Sequence, residues 1–202
     1  MKNSNEKAYF LQRLLAFLID FVLISTISSF LTIPFTNSDN VEKLNKEANE
    51  IVEKYANQEI DIETYFNQAQ DISYDLSRES GVASVIEIIV LILYFVVFQI
   101  YRNGQTIGKE CLKIRVVKSD GSDLTMNGML VRALINDFIL SNIFVVIIML
   151  FSRDVYFYGS LIIVILQYIM IFISIIMVAF SREGKSLADY LTNTKVINIG
   201  RK

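Results

Sequence analysis

The sequence predicts an all-α membrane protein with four transmembrane helices, both termini in the cytoplasm, a helical extracytoplasmic loop and a small cytoplasmic β-hairpin. Two observations predict this fold class. Apolar residues make up 53% of the 202-residue chain and fall into long blocks, and about 20 consecutive apolar residues are enough to cross the hydrocarbon core as a helix. Basic residues are concentrated in the segments on one side of these blocks, as in the cytoplasmic flanks of membrane spans.

Four blocks are long enough to cross the bilayer. They are Phe10 to Pro34, Gly81 to Tyr101, Gly128 to Phe151 and Tyr156 to Ser181. The first block is too long for the apolar region of a signal peptide and has no convincing small-residue cleavage site, so we expect it to remain as the first span. Pro34, the only proline, lies at its outer end, where a helix can stop without leaving unpaired groups in lipid.

The basic residues predict the orientation of the spans, because cytoplasmic flanks are enriched in lysine and arginine. They fall before the first span, between the second and third, and after the fourth: Lys2, Lys7, Arg13; Arg102, Lys109, Lys113, Arg115, Lys118; Arg182, Lys185, Lys195, Arg201, Lys202. All three regions lie on one side of a chain with four crossings. Both termini are therefore predicted to be cytoplasmic.

The loop from Thr36 to Ser80 is predicted to form an acidic helical hairpin. It holds eleven acidic and four basic residues, a net charge of −7. Apolar residues recur in it at helical spacing in two sets, and Asp61 precedes the second set as a predicted N-cap. Three roles fit this loop: a solvated lid or spacer, a surface that concentrates cations at a pore mouth, and a surface that binds a partner.

A small β-hairpin is predicted on the cytoplasmic side. Residues Leu112 to Val117 alternate apolar with basic side chains, Asp120-Gly121 is a turn signal, and the following Asp-Leu-Thr resumes an extended pattern. Near the end of the chain, Thr194 to Ile199 alternate in the same way. This segment is a candidate third strand of the hairpin.

Several classes of function are disfavoured by composition and motifs. Histidine is absent and Cys111 is the only cysteine, which disfavours zinc, haem and disulfide chemistry, and we predict no cofactor. Two Gly-Lys segments resemble phosphate-binding loops, but Asn103 and Ala179 stand where the first glycine is required. The near-neutral charge gives no support to nucleic-acid binding. No nucleophile, base and orienting group occur together, so we predict that the protein is not an enzyme.

Ionisable residues inside the apolar blocks are the candidate functional residues, because charges are costly in hydrocarbon. Arg13 and Asp20 are seven residues apart on one face of the first block. Asp137 lies nine residues into the third block, a depth comparable to that of Asp20, so the two acids are candidates to face one another. Arg132 and Arg13 are candidates to neutralise them, and Glu87 adds a carboxylate in the second block.

Two interpretations of these residues stay open. Arg13, Asp20, Arg132 and Asp137 form either a neutralised network that fixes helix packing, or part of a pathway for protons or cations. In the second interpretation, repulsion and poor solvation favour the protonated form of one acid, which can then hold and release a proton near neutral pH.

Four segments resemble the RDD family of small bacterial membrane proteins, which is named for an arginine and two aspartates. They are RLLAFLID (13–20), NGQTIGKECLKIRVVKSDGSDLT (103–125), VRALI (131–135) and GKSLADYLTNTKVI (184–197). Arg13 and Asp20 match the arginine and the first aspartate, and Asp189 matches the second. The resemblance implies a single transmembrane domain over 1–202, with 36–80 as an insertion. Ala188 and Asn193 depart from the histidine and the glycine that are frequent at these positions in the family.

The resemblance implies a multi-pass protein of the bacterial cell membrane, in a family described as transport-related, with cation/proton antiport suggested for some members. We therefore predict transport of small cations or protons through buried carboxylates. The alternative is a non-transporting accessory or assembly protein whose buried charges fix helix packing. The expected partners are the lipid bilayer, monovalent cations or protons, and further copies of the chain, because four short spans make a thin bundle. Asp189 is expected near the cytoplasmic surface, paired with Arg13.

Overall fold

A computed structural model describes residues 7–36 and 38–200. Lys2, Arg201 and Lys202, which contribute to the predicted orientation, lie outside the described residues. The elements, in chain order, are α1 (Phe10–Thr32), a 3-10 turn (Ile33–Phe35), α2 (Ser38–Ala56), α3 (Ile62–Glu79), α4 (Gly81–Ile92), a π-helical turn (Leu93–Phe98), α5 (Gln99–Tyr101), α6 (Ile107–Cys111), β1 (Ile114–Lys118), α7 (Met126–Asn136), α8 (Ile139–Ile148), α9 (Arg153–Phe180), α10 (Leu187–Leu191) and β2 (Thr194–Asn198).

Within the described part of the chain, three continuous helical segments are long and apolar enough to span a membrane: Phe10–Phe35, Gly81–Tyr101 and Arg153–Phe180. They correspond to the first, second and fourth predicted spans. In Arg153–Phe180, which is α9, only 6% of the most apolar 18-residue stretch is buried within the chain. Helix α9 therefore leaves most of its apolar surface for lipid or for another protein. The assignment of the two sides of the membrane stays a prediction from the charge pattern.

The third predicted span is not one continuous helix. It is divided into α7 and α8, whose axes are bent by 71° at the break. Asp137 leaves the helical conformation with φ −112° and ψ 27°, and Phe138 is left-handed with φ 61°. Asn136 and Asp137 favour such a break because their short polar side chains compete with helical backbone hydrogen bonds. Residues 7–36 and 38–200 therefore contain three continuous candidate spans, and four when the bent pair is counted as one.

The predicted local hairpin is wrong. Strand β1 pairs antiparallel with β2, with Val116 opposite Val196, so the predicted C-terminal strand is the only neighbour of β1 within the described sheet. The segment after Gly121 does not return as a strand because it leads into α7, where the Thr125 hydroxyl accepts a hydrogen bond from the Gly128 amide at 3.2 Å. The amide of Ala8 donates to the Val196 carbonyl at 3.0 Å and ties the beginning of α1 to this sheet.

The predicted helical hairpin is present as α2 and α3. Asp61 caps α3 as expected, since its carboxylate accepts a hydrogen bond from the Thr64 amide at 2.8 Å. The hairpin is docked on the connection between α8 and α9, where Arg153 forms an ion pair with Asp71. The Tyr74 hydroxyl donates to the Phe151 carbonyl at 2.9 Å.

The polar interior of the molecule lies along one face of α1. Its buried residues recur every four positions: Ala16, Asp20, Ile24 and Ser28. The segment around α6 and the helix α4 pack on α1. The Gly108 amide of α6 donates to Asp20 of α1. The end of the bundle that carries the beginning of α1 and the small sheet therefore also holds α6.

Candidate functional site

Among the residues that the structure describes, Asp189 has the most buried carboxylate, with a side chain that is 0% exposed. Ser186 begins α10, and the two residues form a capping box in which the Ser186 amide donates to the Asp189 carboxylate at 2.9 Å. Arg13 Nη1 donates to the same carboxylate at 2.8 Å, and Arg132 Nη1 forms a second ion pair with it. The Thr194 hydroxyl lies 3.2 Å from Asp189 Oδ1. Asp189 thus joins α1, α7, α10 and β2.

The charge of Asp189 is fixed by its two guanidinium partners. Burial by itself would raise the pKa of the Asp189 carboxyl, but Arg132, Arg13 and the Ser186 amide together hold the pKa well below its usual range. The expected contact between Arg13 and Asp189 is present. Arg132, expected to neutralise an acid within the spans, instead bonds to Asp189 and Thr194, because the turn of α7 that carries it packs against α10.

Asp20 is held by hydroxyl and amide groups and not by arginine. Its carboxylate accepts hydrogen bonds from the Tyr94 hydroxyl at 2.5 Å, the Thr106 hydroxyl at 2.5 Å and the Gly108 amide at 2.8 Å. The side chain is 1% exposed. Asp20 therefore ties α1 to the π-helical turn and to the beginning of α6, and the expectation that Arg13 neutralises Asp20 is wrong.

The partners of Asp20 explain the Gly-Lys segment after the second span. A side-chain carbon at Gly108 would collide with the Ala16 carbonyl and come within 2.9 Å of the Asp20 carboxylate. Glycine is required there because the backbone of α6 touches α1 directly. The sequence analysis did not find this role; the available signal was Thr106 and Gly108, two residues apart and close to a membrane span that holds an acid.

A cavity of about 360 Å³ lies between α1, α6, the break between α7 and α8, and α9. Most of its wall is apolar, and its polar lining includes Arg13, Asp20, Lys109, Arg132, Asn136, Asp137, Ser174 and Ser186. Asp20 and Asp137, the two acids expected to face one another, therefore line one cavity. Glu87 does not line it; this side chain is exposed on the surface of α4.

Asp137 and Lys109 differ from the other charged groups of the cavity. Among the described residues, neither side chain has a direct hydrogen bond or an ion pair within 4 Å. The Lys109 ammonium instead lies 5.9 Å from the centre of the Phe95 ring. Burial lowers the pKa of Lys109, and the attraction of Asp137 opposes this effect. The two charges attract each other across the cavity without contact.

The break in the third span places further polar groups beside Asp137. Gln167 of α9 is 3% exposed and donates through Nε2 to the Ile135 carbonyl at 3.3 Å. Its Oε1 atom is buried, with no hydrogen-bond partner among the described residues. The sequence analysis placed Asp137 inside a straight helix and so did not predict that the residues of the break line the cavity.

The comparisons with known proteins identify one family. A sequence model described as the RDD family matches residues 7–193. The matched range includes Arg13, Asp20, Arg132, Asp137 and Asp189. No curated protein and no solved structure matches the chain.

Proposed function

We propose that this membrane protein, which belongs to the RDD family, carries protons or small monovalent cations through the cavity. Asp137 is the group that binds and releases them. One observation supports this function above the others. Asp137 is a carboxylate at the break of a membrane helix, it lines a cavity, and no hydrogen bond or ion pair from the described residues occupies it.

The broken helix supplies a chemical reason for this assignment. Transporters often place ion sites at discontinuous helices, because the carbonyl groups at the end of a half-helix have no intrahelical partner and can coordinate a cation. Helix α7 ends at Asn136, next to Asp137, and its Ile135 carbonyl accepts a hydrogen bond from the Gln167 side chain. A carboxylate and nearby carbonyl oxygens are suitable ligands for Na⁺ or for a hydrated proton.

Lys109 has a defined place in this mechanism. Its ammonium attracts Asp137 across the cavity without contacting it, so a proton or cation that binds Asp137 competes with this attraction. Release of the proton or cation restores it. Asp20 is bonded to Tyr94, Thr106 and Gly108, so it has a structural role in the wall and is not the exchanging group.

The test is flux in proteoliposomes. The purified protein is reconstituted, a Na⁺ or K⁺ gradient is applied, and lumenal pH is followed with a dye. We expect cation-dependent proton movement for the wild type and its loss in Asp137→Asn. Asp123→Asn, which removes an exposed acid outside the cavity, is the matched control and should retain flux. Equal flux in wild type and Asp137→Asn would contradict the proposal.

The second candidate function is an accessory or assembly role without transport. The bonding of Asp189 and Asp20 favours it, because both acids act as fixed links between elements. Wild-type liposomes that show no more flux than empty liposomes, for protons and for every monovalent cation tried, would favour this role.

We also propose that the protein forms a homo-oligomer. An exposed carboxyl inside a membrane span is costly in lipid, and Glu87 is exposed on α4. A neighbouring copy would cover it. Cross-linking through cysteines introduced beside Glu87, in a variant lacking Cys111, tests this: a dimer band is expected, and its absence at every position tried on this face would contradict the interface.

A further inference from the structure

The cavity has an apolar rim formed by two helices that barely touch each other. From α1 it includes Leu14 and Phe17, and from α9 it includes Tyr168 and Ile175. Tyr168 is 64% exposed and Ile175 is 41% exposed. Since both helices are apolar enough to lie in a membrane, the rim opens toward the acyl chains of the bilayer.

The polar end of this cavity contains cationic groups whose hydrogen bonds are incomplete. Arg13 uses only Nη1 for Asp189, and its Nε and Nη2 atoms are buried without an acceptor among the described residues. Lys109 has no ion pair there. A buried donor without an acceptor is destabilising. An oxygen-rich anion from outside the chain would accept hydrogen bonds from both Arg13 and Lys109.

The two ends of the cavity match the two ends of a lipid in one leaflet. Phe10 at the start of α1 and Val178 near the end of α9 line it at the level of the polar groups. Tyr168 lies ten residues from Val178, which is about 15 Å along the helix. This length is about half the hydrocarbon thickness of a bilayer. An acyl chain of a single leaflet therefore has the right length to lie along α9.

We propose that the cavity binds one anionic phospholipid, with the phosphate at Arg13 and Lys109 and an acyl chain between α1 and α9. Basic pockets between membrane helices at the cytoplasmic side are known to suit such headgroups. This lipid site is separate from ion movement. It uses the apolar part of the cavity and the unpaired groups of Arg13, neither of which takes part in the exchange at Asp137.

Native mass spectrometry of the purified full-length protein provides the test. The protein is exchanged into detergent with equal amounts of phosphatidylglycerol, phosphatidylcholine and oleate. We expect one retained phosphatidylglycerol per chain, in preference to the other two. Equal retention of phosphatidylcholine would show that the charge is not recognised, and preferential retention of oleate would show that the ligand is a fatty acid; either result overturns the proposal.

Two pairs of variants locate the lipid. Lys109→Gln should weaken the preference for phosphatidylglycerol about fivefold, whereas Lys195→Gln, a change in β2 outside the cavity, should not. Ile175→Trp fills the apolar rim and should reduce retention, whereas Ile176→Trp is the matched control, since Ile176 is equally exposed at 41% and does not line the cavity. Equal retention by Ile175→Trp and Ile176→Trp would place the lipid elsewhere.

Asp137→Asn separates this inference from the proposed function. We expect this variant to retain phosphatidylglycerol while losing proton movement. Lipid preference without wild-type flux would contradict transport and leave the lipid site intact. Flux that depends on Asp137, without any lipid preference, would overturn the lipid site and leave transport intact.

Discussion

Asp189 and Asp137 both lie beside α7 but have opposite environments. Asp189 is paired with Arg132 of this helix, and Asp137 directly follows its last residue. The Asp189 carboxylate is fully buried and is bonded to two guanidinium groups, a backbone amide and a hydroxyl. The Asp137 carboxylate lines a cavity and has no direct partner among the described residues. The same side chain therefore serves as a fixed link in one region and as an accessible group in the other.

The difference separates acids that hold the fold together from an acid that has no direct partner. A buried acid between two arginines cannot bind a proton without leaving two cations uncompensated. An acid that faces a cavity can change its partner at little structural cost. Asp20 belongs with Asp189 in this respect, because three donors already occupy its oxygen atoms.

Asp189→Asn should have the largest effect on stability. The change leaves Arg13 and Arg132 buried without a counter-charge, so we expect a loss of about 3–5 kcal/mol and little folded protein. Fluorescence-detected size-exclusion chromatography and thermal unfolding in detergent measure this. Asp123→Asn is the control for loss of one acid. A variant that melts within a few degrees of the wild type would show that the two ion pairs do not hold the fold.

Acidification should reproduce part of this loss in the wild type. The pKa of Asp189 is lowered in the folded state, so its contribution is complete above the unfolded pKa of about 3.9 and is lost as the pH falls below that value. We expect the melting temperature to drop below about pH 4. Thr194→Val, which removes one hydrogen bond to Asp189 and keeps both ion pairs, is measured beside the wild type as a less destructive variant. An unchanged melting temperature of the wild type down to pH 3 would contradict the prediction.

Gly108→Ala should have an intermediate effect. The added carbon would meet the Ala16 carbonyl and the Asp20 carboxylate, and such overpacking costs about 1–3 kcal/mol. Gly159→Ala is the matched control, because its added carbon meets only the flexible end of Ile148 at 3.2 Å. Equal melting temperatures for the two variants would mean that the contact between α1 and α6 is loose, and Asp20 would then resemble Asp137 more than Asp189.

Asp137→Asn should have the smallest effect on stability. It removes a charge that has no direct partner and leaves the shape of the side chain nearly unchanged, so we expect a melting temperature equal to or above that of the wild type. Thermal unfolding of the same samples that are used for flux measures this. A loss as large as that of Asp189→Asn would show that Asp137 is also a structural link, and the comparison would fail.

Much of the architecture could be predicted because it depends on local patterns. The long apolar helices, the hairpin of α2 and α3 and the cap at Asp61 follow from hydrophobic periodicity and short-range hydrogen bonding. The break at Asn136 to Phe138 was missed because only two polar residues, Asn136 and Asp137, interrupt the apolar run, which resumes at Phe138. The pairing of β1 with β2 was missed because these strands are distant in sequence, whereas turn signals favour local partners.

The sequence alone determined that the chain forms apolar helices with a few ionisable residues inside them, because length and polarity decide what can lie in hydrocarbon. It also brought Arg13 and Asp189 into consideration as a pair through the family resemblance. Only the tertiary structure decided which donors reach which acid. Arg132, Tyr94 and Thr106 come from separate elements. The partner of a long side chain depends on three-dimensional distance and burial, which spacing along the chain does not specify.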